Sequence, residues 1–167
     1  GSVIRTQQNI CNFLKDHLAT VYKTSDTSNI NYTHNFLDQI QIPQISEEQA
    51  KRLEKKLEME ELITALKGMG KAKAPGPDGL PAEYYLTYAQ QLLPRLLETI
   101  EEAHKQGALP DTMREASIVM LPKPDRDPTD PGSYRPLSMM GVDIKILSKA
   151  LANRLNVVVP SLVHEDQ

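Results

Sequence analysis

The stretch Lys71-Ala72-Lys73-Ala74-Pro75-Gly76-Pro77-Asp78-Gly79 leaves the backbone fewer choices than any other part of this chain. Pro75 and Pro77 fix φ near the value a turn requires, while Gly76 and Gly79 open conformations closed to other residues. A stiff, tightly folded loop is expected, not a flexible linker. Two readings stay open. The loop is either a rigid corner between two helices or a place where backbone amides and the charges of Lys71 and Lys73 approach a bulky anion such as a nucleic-acid strand.

The flanks of the loop read as helices. Ile10, Phe13, Leu14, Leu18, Val21 and Tyr22 recur at helical spacing between Ile4 and Thr24, giving an amphipathic helix whose apolar face needs a partner. Thr24 to Thr33 is polar and reads as a loop, and a short helix is expected over His34 to Ile40, ending at Pro43. Ser46-Glu47-Glu48-Gln49 has the form of a capping box, so a helix starts there. The cluster Glu58, Glu60 and Glu61 suits the first turn of the next helix, where the macrodipole favours negative charge, better than a metal site. Leu62, Ile63, Leu66 and Met69 give that helix a buried face, and Gly68 and Gly70 end it. Beyond the loop, Pro81 tolerates a first turn, and Glu83 to Gln106 carries the stripe Leu92, Leu93, Leu96, Leu97, Ile100 and Ala103. Pro94 should kink or divide this helix, and Gly107 and Pro110 close it.

The period then changes. Ala116 to Leu121 and Tyr134 to Met140 are β-type runs joined by a loop containing Pro122, Pro124, Pro128 and Pro131. This is a hairpin with a long, stiffened connection. Lys123 and Arg135 fall on facing stems, where an Arg fork and a Lys point charge could clamp a phosphate chain or simply be solvated. Asp143 is placed to cap a last helix with Ile144, Leu147, Leu151, Leu155 and Val158 as its apolar stripe. Lys145, Lys149, Asn153 and Asn156 fall opposite, as a solvated face or a track for backbone phosphates. Arg154 lies at the edge of the stripe and must snorkel or find an acidic partner.

Composition limits what this can do. The 167 residues are 40% hydrophobic, enough for one domain with a core and an N-terminal extension. A net charge of −3 excludes a generic polyanion binder, so nucleic-acid contacts would come from local patches. Cys11 has no second cysteine to pair with, and no apolar run reaches the ~20 residues of a membrane span. An intracellular, reducing compartment is expected, without membrane contact. Gly1-Ser2 reads as a cloning remnant. His17, His34, His104 and His164 are scattered without ligand spacing, and there is no P-loop, dinucleotide fingerprint or nucleophile elbow. These residues supply no catalytic constellation and no metal site.

Several motifs occur in one order. Lys73-Ala74-Pro75-Gly76-Pro77-Asp78-Gly79 precedes Ala108-Leu109-Pro110, then Ser117-Ile118-Val119-Met120-Leu121-Pro122-Lys123 and Asp127-Pro128-Thr129-Asp130-Pro131. Tyr134-Arg135-Pro136-Leu137-Ser138 follows, and Lys145 to Leu155 closes the series. The series resembles the reverse transcriptase of non-LTR retrotransposons of the long-interspersed-element type, over nearly the whole chain but more weakly before Glu58. The resemblance implies a mostly α fold with a small β-hairpin, the truncated fingers part of a right-hand polymerase. Residues 3–57 would be a helical N-terminal extension, 58–141 the fingers and 142–167 the first palm-edge helix.

The resemblance further implies that Lys71, Lys73, Gly76, Pro77, Asp78 and Gly79 lie near the template. Lys123 and Arg135 would bind the incoming nucleotide's triphosphate, with Lys145 and Lys149 as possible backbone-phosphate contacts. RNA template, DNA primer, dNTP and Mg²⁺ would be engaged in the longer enzyme, together with the remaining palm and thumb, in cytoplasm and nucleus. The family's catalytic aspartates lie beyond this sequence, and Asp166 lacks their motif context, so the chain alone is expected to be inactive. The competing expectation is a helical protein-interaction or dimerisation module, in which the Ile144, Leu147, Leu151 and Leu155 stripe recruits a partner or a second copy.

Overall fold

The computed structural model describes residues 6–23 and 43–163. The loop expected at Thr24 to Thr33, the helix expected at His34 to Ile40 and the terminal residues lie outside them. The described residues are mostly helical, with one antiparallel hairpin. In chain order the elements are α1 (Gln7–Val21), α2 (Glu47–Glu54), α3 (Met59–Lys67), α4 (Ala82–Thr87), α5 (Ala89–Gln106), α6 (Asp111–Arg114), β1 (Ala116–Pro122), β2 (Tyr134–Met140) and α7 (Val142–Leu155). Single 3₁₀ turns lie at Pro131–Ser133 and Val159–Ser161.

The chain forms two compact units, one of Gly1–Gln41 with Met120–Pro136 and one of Ile42–Val119 with Leu137–Gln167. In the second, α3 is central and packs on α7 and α5. Leu62, Ala65 and Leu66 of α3, Leu93 and Leu96 of α5, and Val142, Ile146, Leu147 and Ala150 of α7 form its buried centre. A fully buried Leu or Ile stabilises by about 1.5–3 kcal/mol, so this cluster dominates the unit.

Local signals set most helix ends. Ser46 Oγ accepts from the Gln49 amide at 3.2 Å and Gln49 Oε1 accepts from the Ser46 amide at 2.8 Å, completing the expected box. Glu60 and Glu61 lie in the first turn of α3, and Glu61 Oε2 accepts from the Glu58 amide at 2.9 Å. Gly107 closes α5 in the left-handed region at φ 71°.

Three expectations are corrected. The division within 82–106 falls at Tyr88, not at Pro94: the Tyr88 amide ends α4 on Tyr84 O, while Tyr88 O accepts from Gln91 and Leu92 to start α5. Pro94 lies within continuous α5 on its exposed side, where water can reach the Gln90 carbonyl that the ring leaves without a donor. Asp143 is not the cap of the last helix. Gly141 holds that position, and Asp143 Oδ1 accepts from the Ile144 amide at 2.7 Å within the first turn. Of the expected stripe, Leu147 and Val158 are buried and Ile144 packs half-buried on the core, but Leu151 and Leu155 are exposed, and Val142, Ile146 and Ala150 complete the buried face instead. Small Ala150 and branched Ile146 permit close approach of α3, and that packing chose the face.

In the first unit, the apolar stripe of α1 has no buried residue, and Phe13 and Tyr22 are exposed. Leu18 and Val21 border a cleft of about 330 Å³ whose other wall includes Met120, Lys123, Tyr134 and Pro136.

Candidate nucleic-acid interface

The loop Lys71–Gly79 is a turn fixed at several points. The Gly79 amide donates to Gly76 O at 3.1 Å, Asp78 Oδ1 accepts from the Leu80 amide at 3.1 Å, and Gly79 takes φ 73°. Gly76 lies against the backbone that leads into α7. A Cβ added there would sit 2.5 Å from Gly141 N and 2.6 Å from Met140 C, so only glycine allows this approach. At the other end, the Ala72 amide donates to Glu83 Oε1 at 2.6 Å, while Ala72 itself holds φ 53°. This bond holds the Glu83 carboxyl below its ordinary value, with the charge of nearby Lys71 a smaller contribution. Lys71, Lys73, Pro77, Asp78 and Gly79 are exposed, and Gly76 is half-buried. Beside the loop, Tyr85 is buried, which pushes its hydroxyl up to about 12, with Asp143 and Asp78 adding to the rise.

The hairpin loop is braced by its own aspartates. Asp127 Oδ1 accepts from the amide and hydroxyl of Thr129, Asp130 Oδ1 accepts from the Gly132 amide, and the Tyr134 hydroxyl donates to Pro128 O. The bonds to Thr129 hold the Asp127 carboxyl below its usual range. The Lys123 amide donates to Ser133 O at 2.8 Å, which makes the two residues directly opposite and extends the register of β1 and β2 by one pair. In that register Arg135 faces Leu121, while Lys123, just beyond β1, borders the cleft walled by Met120, Tyr134 and Pro136. The Lys123 ammonium donates to Gly132 O at 2.7 Å and retains two further N–H groups. Arg135 is exposed, and its side chain makes no hydrogen bond or ion pair among the described residues.

Arg154 does the opposite. Its Nε donates to Glu61 Oε1 at 2.6 Å and Nη2 to Glu61 Oε2 at 2.7 Å. Nη1 donates to the carbonyls of Leu53 (3.0 Å) and Lys55, and Nη2 to that of Lys56 (2.9 Å). All five donors are used, three on carbonyls at the C-terminal end of α2. The acidic partner expected for Arg154 is therefore Glu61, whose carboxyl is held low first by that hydrogen bond, against the opposing effect of burial. Lys145 is half-buried and Lys149 exposed on α7. Among the described residues no three His, Cys, Asp or Glu side chains are grouped to hold a metal ion, and no helix is long and apolar enough to cross a membrane.

Sequence reasoning missed the Glu83 anchor of the loop and the exposed pair Tyr84 and Tyr88, whose rings lie 4.9 Å apart between centroids. Four-residue spacing of two aromatics immediately after the loop was the available signal.

No family model matches the chain. An uncharacterized 149 kDa protein of transposon TX1 from Xenopus laevis is 36% identical over 126 residues, 75% of this chain and 10% of that protein. This chain is homologous to non-LTR retrotransposon proteins. A probable RNA-directed DNA polymerase from transposon BS of Drosophila melanogaster is 24% identical over 156 residues, 93% of this chain and 17% of that protein. The RNA-directed DNA polymerase from mobile element jockey of Drosophila funebris is 34% identical over 98 residues, 59% of this chain and 10% of that protein. The chain thus spans only 10% to 17% of the length of these relatives.

Proposed function

We propose that this chain is the fingers-bearing part of an RNA-directed DNA polymerase with a right-hand fold, contributing template and incoming-nucleotide contacts and inactive by itself. Lys71, Lys73 and the backbone of Gly76 to Gly79 line the template side. Lys123 and Arg135 bind the triphosphate, and Lys145 and Lys149 meet backbone phosphates. Residues 58–141 act as fingers, and the helix from 142 leads into the palm. RNA template, DNA primer and dNTP are its partners within the longer enzyme, which works inside the cell in cytoplasm and nucleus. The Mg²⁺ of such an enzyme finds no three-ligand set among the described residues, so no step of phosphoryl transfer is assigned to them.

The observation that carries this reading is homology to polymerases of mobile elements, to which the hairpin register adds a physical argument. Two cations at the loop end of one hairpin, one with a free fork and one with two free N–H groups, suit an extended polyphosphate. In the longer polymerase, Arg135→Ala should raise the dNTP KM roughly ten- to a hundredfold, the value of a hydrogen bond to a charged group. Lys71→Ala/Lys73→Ala should weaken template–primer binding and reduce its salt dependence by about one unit of slope per lost contact. An unchanged KM in the Arg135 variant would remove the nucleotide role.

A second reading has its own observation. Leu151, Leu155, Val157 and Val163 are exposed, and Leu151 borders a cleft of about 290 Å³ with Leu53, Leu57 and Ile100. A helical interaction or dimerisation module would use this surface, and light scattering over a dilution series tests it.

A further inference from the structure

We propose that Tyr84 and Tyr88 form a stacking platform for the unpaired bases of a single nucleic-acid strand running past the loop Lys71–Gly79. This rests on the template-side reading of that loop and adds a base-binding surface to it. The rings are exposed at 39% and 47% and lie 4.9 Å apart, while Tyr84 is braced edge-on at 6.1 Å by buried Tyr85. Between Ile45 and Ile118 they are the only exposed large hydrophobic side chains. An aliphatic protein partner would need a larger contiguous apolar patch, whereas a pair of exposed aromatic rings on a helix tied to the Lys71–Lys73 segment through Glu83 suits nucleobases, which stack while their phosphates meet the lysines.

The loop and the platform are tied together. Ala72, between Lys71 and Lys73, donates to the carboxylate of Glu83, the residue preceding Tyr84. That contact occupies the acidic group adjoining the platform in sequence and ties the backbone between the two lysines to α4.

The test is fluorescence anisotropy of the whole chain with labelled oligo(U), the matching DNA strand and an abasic strand. Tyr84→Ala and Tyr88→Ala should each weaken binding to RNA and DNA alike, by about five- to a hundredfold, while Tyr→Phe stays within about twofold. The abasic strand should bind the unsubstituted chain as weakly as oligo(U) binds the alanine variants. Circular dichroism checks that these exposed substitutions leave the helices intact. Alanine variants that bind normally while Lys71→Ala/Lys73→Ala binds weakly would overturn the platform and leave the template-side loop standing. A loss confined to RNA, or no binding of the unsubstituted chain to any strand, overturns it as well.

Discussion

Arg154 on α7 and Arg135 on β2 carry the same guanidinium in opposite circumstances. Arg154 is 11% exposed, with every donor matched: two to Glu61 and three to carbonyls that α2 leaves open. Arg135 is exposed with no such partner among the described residues. A desolvated fork that is fully used can only hold the fold, because any ligand would have to displace internal bonds in a medium of low dielectric. An unmatched fork at a hairpin tip contributes little to folding and keeps its bonding capacity for a ligand. Residue type does not separate these roles; the number of donors already spent does.

The largest test of that contrast is Arg154→Ala, which strands Glu61 and three carbonyls and should cost about 3–5 kcal/mol in chemical denaturation. Arg154→Lys should recover only a minor part, because a point charge cannot serve five acceptors in a plane. A stable Arg154→Ala protein would break the comparison. Next in size is Gly76→Ala, whose Cβ meets backbone rather than a flexible side chain; about 1–3 kcal/mol is expected, read as a lowered Tm.

A smaller effect concerns pH. The Glu61 carboxyl is lowered in the fold from an ordinary 4.5, so its contribution is complete above that value and is lost as pH falls through the lower folded value. Glu61→Gln should therefore reduce neutral-pH stability and flatten the acid limb of the unfolding curve. An acid limb as steep as that of the unsubstituted chain would assign the effect elsewhere. The smallest change belongs to Arg135→Ala, which should leave stability within about 0.5 kcal/mol. A large loss would mean that Arg135 serves the fold after all.

Much of the architecture was legible in the residues. Helix ends followed Ser46, Gln49 and Gly107 because capping depends on side chains three residues apart or on a left-handed φ, which are local properties. The hairpin followed from the change of period and the proline-rich connection. The break at Tyr88 was not legible, since Pro94 is the stronger local signal and only the hydrogen-bond pattern around Tyr88 overrules it. The α7 face was misjudged for a similar reason: Leu151 and Leu155 outscore Ala150 in hydrophobicity, yet close helix packing favours the smaller residue. Of the candidate site, the loop and its lysines could be read directly, whereas Tyr84 and Tyr88 were missed, because exposure of an aromatic pair is a property of the folded chain.

The sequence alone determined that Lys71 to Gly79 is a stiff turn, that Arg154 must snorkel or find an acidic partner, and that the motif order resembles that of non-LTR retrotransposon reverse transcriptases. Tertiary structure decided which carboxylate answers Arg154, that Gly76 must pass against Gly141, and that Arg135 lies across from Leu121. Turn stiffness is written in φ restrictions of single residues. A partner 93 positions away, a backbone approach that a methyl group would prevent and a strand register exist only once the chain has closed on itself.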